Sequence, residues 1–200
     1  MTRSAARKPY LAAFLRNCTA GAFAAVVWYS VPLPAFAQSA QAQQDMQVLL
    51  EALKDAPEAK AKTLARDIRR SWRRSGSATA DLLLKRGRDA MRAKKLDLAI
   101  EHFTALTDHA PDFAEGWHMR ASAYYQSDLY GPAIEDLGRT LALNPHHFDA
   151  IQGLGAIFEQ IRDYDKAYEA YAQVLAIHPF HDAVTEAMER IEPKVKGPAL

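Results

Sequence analysis

The seven histidines of this chain are the side chains that could take part in the widest range of chemistry, since a neutral imidazole binds transition metals and exchanges protons near neutral pH. No two of them flank a glutamate at the four-residue spacing of a helical zinc-protease motif. His147 and His181 stand 34 residues apart at equivalent positions, but successive packed helices lie roughly 10 Å apart, too far for two imidazoles to share an ion. The histidines therefore predict no metal site. They are His102, His109, His118, His146, His147, His178 and His181.

The sequence contains no motif that is typical of other kinds of catalysis. The chain has no Gly-rich phosphate loop and no Gly-x-Ser-x-Gly nucleophile elbow. Its one cysteine is Cys18, close to the start. Neighbouring carboxylates such as Glu135 and Asp136 are expected to be solvated charge on an outer helix face. The sequence therefore predicts a protein that is not an enzyme and that needs no cofactor.

A spacing of 34 residues recurs through the second half of the chain and organises it. Such a period is typical of stacked helix-turn-helix units, each of which buries its apolar faces against the next. The small residues then mark close approaches between helices, and the prolines end each second helix. The five recurring sets are Pro111, Pro145 and Pro179; Gly87, Ala121 and Gly155; Ala99, Ala133 and Ala167; Phe103, Leu137 and Tyr171; and Ala90, Tyr124 and Phe158.

This pattern resembles the tetratricopeptide repeat family. Three copies, 80–113, 114–147 and 148–181, cover 102 of the 200 residues. The first copy departs from the family pattern at Leu83, where a tryptophan is common, and at Ala90, where an aromatic residue is. The resemblance implies an all-α fold, namely a right-handed α-solenoid of helix-turn-helix repeats with capping helices at both ends.

Residues 1–37 have the composition of a secretory signal peptide. A basic start without acids precedes an apolar run over residues 19–31, and Ala35 and Ala37 offer the small side chains that a signal peptidase reads. Cleavage after Ala37 would deliver the chain to the periplasm of a Gram-negative cell. The alternative is an uncleaved membrane anchor, although the apolar run is shorter than the roughly 20 residues of a spanning helix.

Both flanks of the repeats predict helices that shield the ends of the array, because a solenoid end otherwise exposes apolar surface. Residues 38–44 are expected to be a flexible polar leader. Residues 45–76 predict a helical hairpin, a cap or degenerate repeat, that covers the N-terminal end. Residues 182–192 predict a C-terminal capping helix, and residues 193–200 a frayed end.

Charge is distributed unevenly along the chain. Residues 65–95 hold 11 basic and 3 acidic side chains, whereas residues 96–200 hold 7 basic and 17 acidic ones. These charges either solvate helix faces or select partners of opposite sign. A run of arginines over residues 66–74 could attract nucleic acid or anionic lipid, but export and the single interleaved aromatic, Trp72, count against it. We expect no nucleic-acid partner and, once the signal is cleaved, no stable membrane insertion.

In the family that the repeats resemble, the first helix of each copy lines a concave groove, and this register gives the candidate binding residues. Arg88 and Arg92 could hold a carboxylate, and Tyr125 offers an apolar face with a polar tip. The alternative is that these side chains are merely solvated. The Lys, Arg and Asn set with which some members grip a C-terminal carboxylate is not reproduced. The groove positions are Leu84, Arg88, Met91, Arg92, His118, Ser122, Tyr125, Gln126, Gln152, Ala156, Glu159 and Gln160.

The sequence therefore predicts an exported, non-enzymatic adaptor or scaffold that binds a protein or peptide in its groove. An assembly factor anchored in the inner membrane by its uncleaved N-terminal segment is the alternative. A repeat protein that binds a small solute or an ion is a third possibility. The mature N-terminus separates the first two, and ligand-induced thermal stabilisation identifies the third.

Overall fold

The computed structural model describes residues 35–197 of the chain, and most of the predicted signal peptide lies outside these residues. The described part is helical throughout its regular structure, without a strand. None of its helices is both long enough and apolar enough to cross a membrane. The helices are α1 Ala35–Asp55, α2 Glu58–Trp72, α3 Ala78–Arg92, α4 Leu96–His109, α5 Ala114–Gln126, α6 Tyr130–Leu143, α7 Phe148–Gln160, α8 Tyr164–Ile177 and α9 Asp182–Lys196.

Helices α3 to α8 form three pairs joined by short turns. Within each pair the two helices pack together, α3 with α4, α5 with α6 and α7 with α8. Each pair also packs on the next through α4 with α5, α6 with α7, and α8 with α9. This arrangement confirms the prediction of an all-α solenoid of helix-turn-helix repeats.

Inside each repeat, the small residue of the first helix meets a large residue of the second. A Cβ atom added at Gly87 would lie 2.3 Å from the Phe103 ring, and one at Gly155 would lie 2.5 Å from the Tyr171 ring. In the middle repeat the small residue is an alanine, Ala121, and its partner is the smaller Leu137. Both belong to one buried cluster. A larger side chain on the first helix is therefore matched by a smaller one on the second, at the same spacing in every repeat. The three pairs are Gly87–Phe103, Ala121–Leu137 and Gly155–Tyr171.

The turn inside each repeat places one residue in the left-handed backbone region that glycine prefers. These residues are Lys94, Asp128 and Arg162, with φ of 58°, 58° and 65°. Each turn is closed by a 2.9 Å bond from the next residue's N–H to the carbonyl five residues before it. The 34-residue period thus extends to backbone conformation, without a glycine at any of the three positions.

The N-terminal hairpin, α1 and α2, does not cover the N-terminal end of the array as expected. Its apolar side, including Leu53, Ala61 and Ile68, is buried in one core with α7, α8 and α9. At the N-terminal end, Leu82 and Leu98 of the first repeat remain exposed. The leader prediction was also wrong: residues 38–44 belong to α1, which their alanines and glutamines favour.

Three ion pairs explain why the hairpin lies along the later repeats. They join basic residues of α2 and its C-cap, Arg73, to acidic residues in the first turns of α5, α7 and α9, where the helix dipole also favours a negative charge. The charge contrast between the two regions of the sequence is thus used, in part, inside the chain. We call these three pairs the edge ladder: Lys62–Asp182 at 3.1 Å, Arg69–Asp149 at 2.7 Å and Arg73–Glu115 at 3.5 Å.

Two local expectations were also wrong. Helix α9 continues to Lys196 although Pro193 cannot donate a helical hydrogen bond, and its buried residues, such as Ile191, attach it to the core. Asp136 is not solvated, because it is buried and accepts bonds of 2.7 and 2.8 Å from Arg120 on the neighbouring helix. Its pairing with the guanidinium compensates the loss of hydration.

Candidate functional site

A surface lined by α3, α5, α7 and α9 carries three neighbouring cavities, and we call this surface the groove. The first cavity, of about 380 Å³, lies on α3. The second, of about 340 Å³, lies between α5 and α7, and the third, of about 400 Å³, between α7 and α9. Each falls in the size range of small-ligand pockets, and together they form a track across successive repeats.

The central cavity, between α5 and α7, brings together six of the predicted groove residues. Its apolar floor includes Ala121, Leu137 and Ile157, all of which are buried. Amide, hydroxyl, phenol and imidazole groups surround that floor. Such a surface can accept an apolar side chain below and pair with peptide groups above. The six residues are His118, Ser122, Tyr125, Gln126, Gln152 and Ala156.

On α3 the predicted residues have mixed surroundings. Leu84 is buried and Met91 packs against the same core, so both mainly stabilise the first repeat. Arg92 forms an ion pair with Asp89 on its own helix. Of the four predicted residues on α3, Arg88 is the one that neither packs in the core nor forms an ion pair within residues 35–197.

Arg88 lies beside Arg73, the C-cap residue of α2, in the cavity on α3. Burial and the neighbouring Arg73 charge lower the pKa of Arg88 below its ordinary value. A carboxylate placed between two guanidinium groups would relieve their repulsion and accept charge-assisted hydrogen bonds. This end of the groove is therefore suited to an anionic group.

On α7 the structure places Glu159 and Gln160 in the cavity beside α9. Glu159 accepts a 3.0 Å bond from the Tyr171 hydroxyl and two bonds from Arg190, at 2.9 and 3.0 Å. These donors hold the pKa of Glu159 below its ordinary value, with Arg190 as the main cause. Glu159 and Arg190 at the far end of the groove are thus already paired, whereas Arg88 at the α3 end has no ion-pair partner within residues 35–197.

A buried cluster of Glu115, His118 and His147 adjoins the central cavity. Glu115 Oε2 lies 3.3 Å from His147 Nε2 and 3.4 Å from His118 Nδ1. Burial acts to raise the pKa of Glu115, but the two imidazoles outweigh it and hold that pKa far below its ordinary range. Burial lowers the pKa of His147, whereas for His118 the neighbouring Glu115 carboxylate outweighs burial and raises the pKa.

Sequence reasoning missed this cluster because it compared histidines at equivalent repeat positions. His118 lies on the first helix of one repeat, whereas His147 lies in the turn before the next repeat. Stacking brings that turn beside the first turn of α5, where Glu115 stands three residues before His118. A search for acid and histidine pairs offset by nearly one full repeat could have found the three residues.

A second buried histidine pair, His178 and His181, packs beneath α2. Their rings lie 5.1 Å apart, next to Phe148, and Arg69 approaches His181 to 3.4 Å. Burial, followed by the charges of His181 and Arg69, lowers the pKa of His178 to about 4. His178 is therefore neutral in the folded protein at neutral pH.

We expect the free energy of unfolding to fall as the pH drops from about 6.5 towards 4, because His178 takes up a proton in the unfolded chain before it can do so in the folded one. Between pH 7 and pH 5, His178→Gln should reduce this loss by roughly 1.5 kcal/mol relative to wild type. Urea unfolding at the two pH values measures it. The exposed His146 gives the control His146→Gln, and equal pH slopes for the two variants would contradict the assignment.

The comparisons with known proteins agree on one family. A family model described as Tetratricopeptide repeat matches residues 84–131 and 118–182. A TPR repeat-containing protein of Rhizobium etli is 29% identical over 138 residues, which are 69% of this chain and 68% of that protein. The small glutamine-rich tetratricopeptide repeat-containing protein 2 of Saccharomyces cerevisiae is 32% identical over 113 residues, but the match spans only 32% of its length.

Among solved structures, the first TPR domain of Spaghetti (RPAP3), bound to the HSP90 peptide SRMEEVD, is similar to this chain. The TM-score is 0.59 at 26% identity, and the match covers 60% of this chain and 96% of that one. The 60% coverage leaves part of the described chain without a counterpart in that domain.

Proposed function

The chain belongs to the tetratricopeptide repeat family, and from this premise we propose that it is a non-enzymatic adaptor that holds a peptide segment of a partner protein in the groove. The observation that carries the proposal is the central cavity, where an apolar floor is surrounded by side chains able to pair with a peptide backbone. The peptide bound to the similar RPAP3 domain supports the same class of ligand.

The charges of the groove favour an acidic residue in the bound segment. At the α3 end, Arg88 stands without an ion-pair partner within residues 35–197, beside Arg73, which pairs with Glu115; at the α9 end, Glu159 and Arg190 neutralise each other. A segment that places a carboxylate at Arg88 and an apolar side chain on the central floor matches both features. Because the family's set for a C-terminal carboxylate is not reproduced, we propose an internal acidic residue rather than a chain terminus.

We expect Arg88→Ala and Tyr125→Ala each to weaken partner binding by roughly tenfold or more, the loss of about 1.4 kcal/mol or more. The partner is first recovered by crosslinking and pull-down from envelope extract of the native host, and its binding segment is then titrated by fluorescence anisotropy. Arg86→Ala is the matched control, since Arg86 lies on the same helix but is exposed and does not line the cavity. Equal affinity of all three variants and wild type would exclude the groove as the binding surface.

We also propose that the adaptor acts outside the cytoplasm after cleavage following Ala37. The basic start, the apolar run and the small residues before the cleavage point support this, and cleavage there would remove the first three residues of α1 and keep Gln38 to Asp55. Intact mass of protein from the native host tests it. A mass beginning at Gln38 is expected, and a full-length mass in the membrane fraction would favour the anchored assembly factor instead.

A further inference from the structure

The cluster of Glu115, His118 and His147 has the geometry of a metal site. Its three candidate ligand atoms lie within 4.8 Å of one another. The two distances from Glu115 Oε2 are 3.3 and 3.4 Å. Around a zinc ion with bonds of roughly 2.0–2.1 Å, two ligands of a tetrahedron stand about 3.3–3.4 Å apart. Two edges of the tetrahedron therefore already have the required length.

The surroundings of the cluster support the same interpretation. The side chains of Glu115 and His147 are 5% and 0% exposed, and that of His118 is 14% exposed. The buried His118 Nδ1 has no hydrogen-bond partner among the described residues. Trp72 stacks on the His147 ring at 4.2 Å, and Arg73 approaches the other oxygen of Glu115. Such outer contacts fix the orientation of metal ligands.

We propose that Glu115, His118 and His147 form a three-ligand site for a divalent transition-metal ion, with zinc the best match to the donors. Two imidazoles and one carboxylate suit zinc, whereas calcium and magnesium prefer sites built from oxygen alone. Three protein ligands leave a fourth position open to water or to another ligand. The site is independent of whether the groove holds a peptide.

An ion can reach the cluster from two sides. His118 lines the central cavity of the groove. Glu115 and His147 line a separate cavity of about 580 Å³, bounded by α1, the end of α2 and the turns that precede α5 and α7. The cluster thus lies between the central cavity of the groove and this second cavity.

Metal binding changes the start of α7 in a way that can be observed. The Ala150 N–H donates to His147 Nδ1 at 3.2 Å, which assigns the ring proton to Nε2, where it faces Glu115. An ion bound at Nε2 replaces that proton, and the neutral ring then carries its proton on Nδ1. The bond from Ala150 is lost, and the first turn of α7, which borders the central cavity, is released from its cap.

The test uses untagged protein stripped of metal with a chelator and then dialysed against zinc chloride. Elemental analysis should find one zinc per chain, the unfolding temperature should rise with zinc concentration, and the Ala150 amide should exchange faster. Cobalt in place of zinc should give the intense visible absorption of a four-coordinate ion. Glu115→Gln and His147→Asn should weaken zinc binding by about tenfold or more, since losing even an outer-shell contact of a ligand costs roughly 10–100-fold.

Two features of the variants make the result decisive. His147→Asn keeps a side-chain oxygen that can cap α7, and His118→Gln provides a second ligand change if that variant unfolds. His146→Ala removes an exposed neighbouring histidine and should leave zinc binding unchanged. Failure to bind zinc in stoichiometric amount at a severalfold excess would overturn the proposal. Binding that is lost in His146→Ala but kept in the ligand variants would overturn it as well.

Discussion

Replacing Gly87 with alanine is expected to lower the free energy of unfolding by about 3 kcal/mol, the upper end of the usual overpacking range. The new Cβ would lie 2.3, 2.6 and 2.7 Å from three atoms of the Phe103 ring. That ring belongs to a fully buried side chain, so it cannot move out of the way into solvent. The clash outweighs the gain of at most about 1 kcal/mol from removing a glycine inside a helix. Urea unfolding followed by circular dichroism measures the change.

The middle repeat supplies the compensating change. It combines Ala121 with Leu137, so Phe103→Leu in the first repeat should make room for an alanine at position 87. Phe103→Leu alone removes ring contacts and should cost about 1–2 kcal/mol. The double variant should be more stable than the sum of the single changes predicts, by about 1–2 kcal/mol of coupling.

Gly138→Ala is the control for helix propensity, because apart from its chain neighbours and the backbone of its own helix no atom lies within 4 Å of a Cβ added there. This change should raise stability by about 0.5–1 kcal/mol. Strict additivity of the changes at Gly87 and Phe103 would show that the close approach does not limit packing. A stabilising effect of Gly87→Ala alone would show the same.

The repeats were predictable because each copy obeys the same local constraints. A small residue must face a large one and a proline must follow each second helix, so the 34-residue period reveals the pattern before any contact is known. The groove register follows from the same period, which is why six predicted residues meet in the central cavity. Leu84 lines the cavity on α3 as the register predicts, but it also packs in the core of the first repeat.

The position of the N-terminal hairpin was not predictable from local patterns. Its amphipathic helices would fit any apolar surface, and what distinguishes the surfaces is charge. Arg69 meets Asp149 across 80 residues of sequence. The charge difference between the two regions was visible, but the individual pairs were not. The same limit applies to the metal cluster, in which His147 comes from a different repeat position than His118.

Replacing Arg69 with methionine is expected to lower the free energy of unfolding by about 3 kcal/mol, because it leaves Asp149 charged and largely buried without its partner. The two side chains are 27% and 19% exposed, so the effect should lie at the low end for a broken buried pair. Arg69 also packs over the Phe148 ring at 4.8 Å. Hydrogen exchange should show the largest loss of protection in α1 and α2.

The dependence of this effect on pH identifies its electrostatic part. Burial acts to raise the pKa of Asp149, but the Arg69 bonds and charge outweigh it and hold that pKa below its ordinary value. The stabilisation is therefore complete above the unfolded pKa of about 3.9 and disappears as the pH falls through the lower folded value. The difference between wild type and Arg69→Met should shrink accordingly at acidic pH.

Arg66→Met is the control that distinguishes the effect of breaking the Arg69–Asp149 pair from the effect of removing any positive charge on α2. Arg66 is exposed and bonds only to Thr63 among the described side chains. It should change stability by less than about 0.5 kcal/mol. In the double variant Arg69→Met with Asp149→Asn, the unpaired carboxylate is gone, so much of the lost stability should return. If both methionine variants were equally stable at neutral pH, the edge ladder would not be what holds the hairpin against the repeats, and apolar packing around Ile68 would suffice.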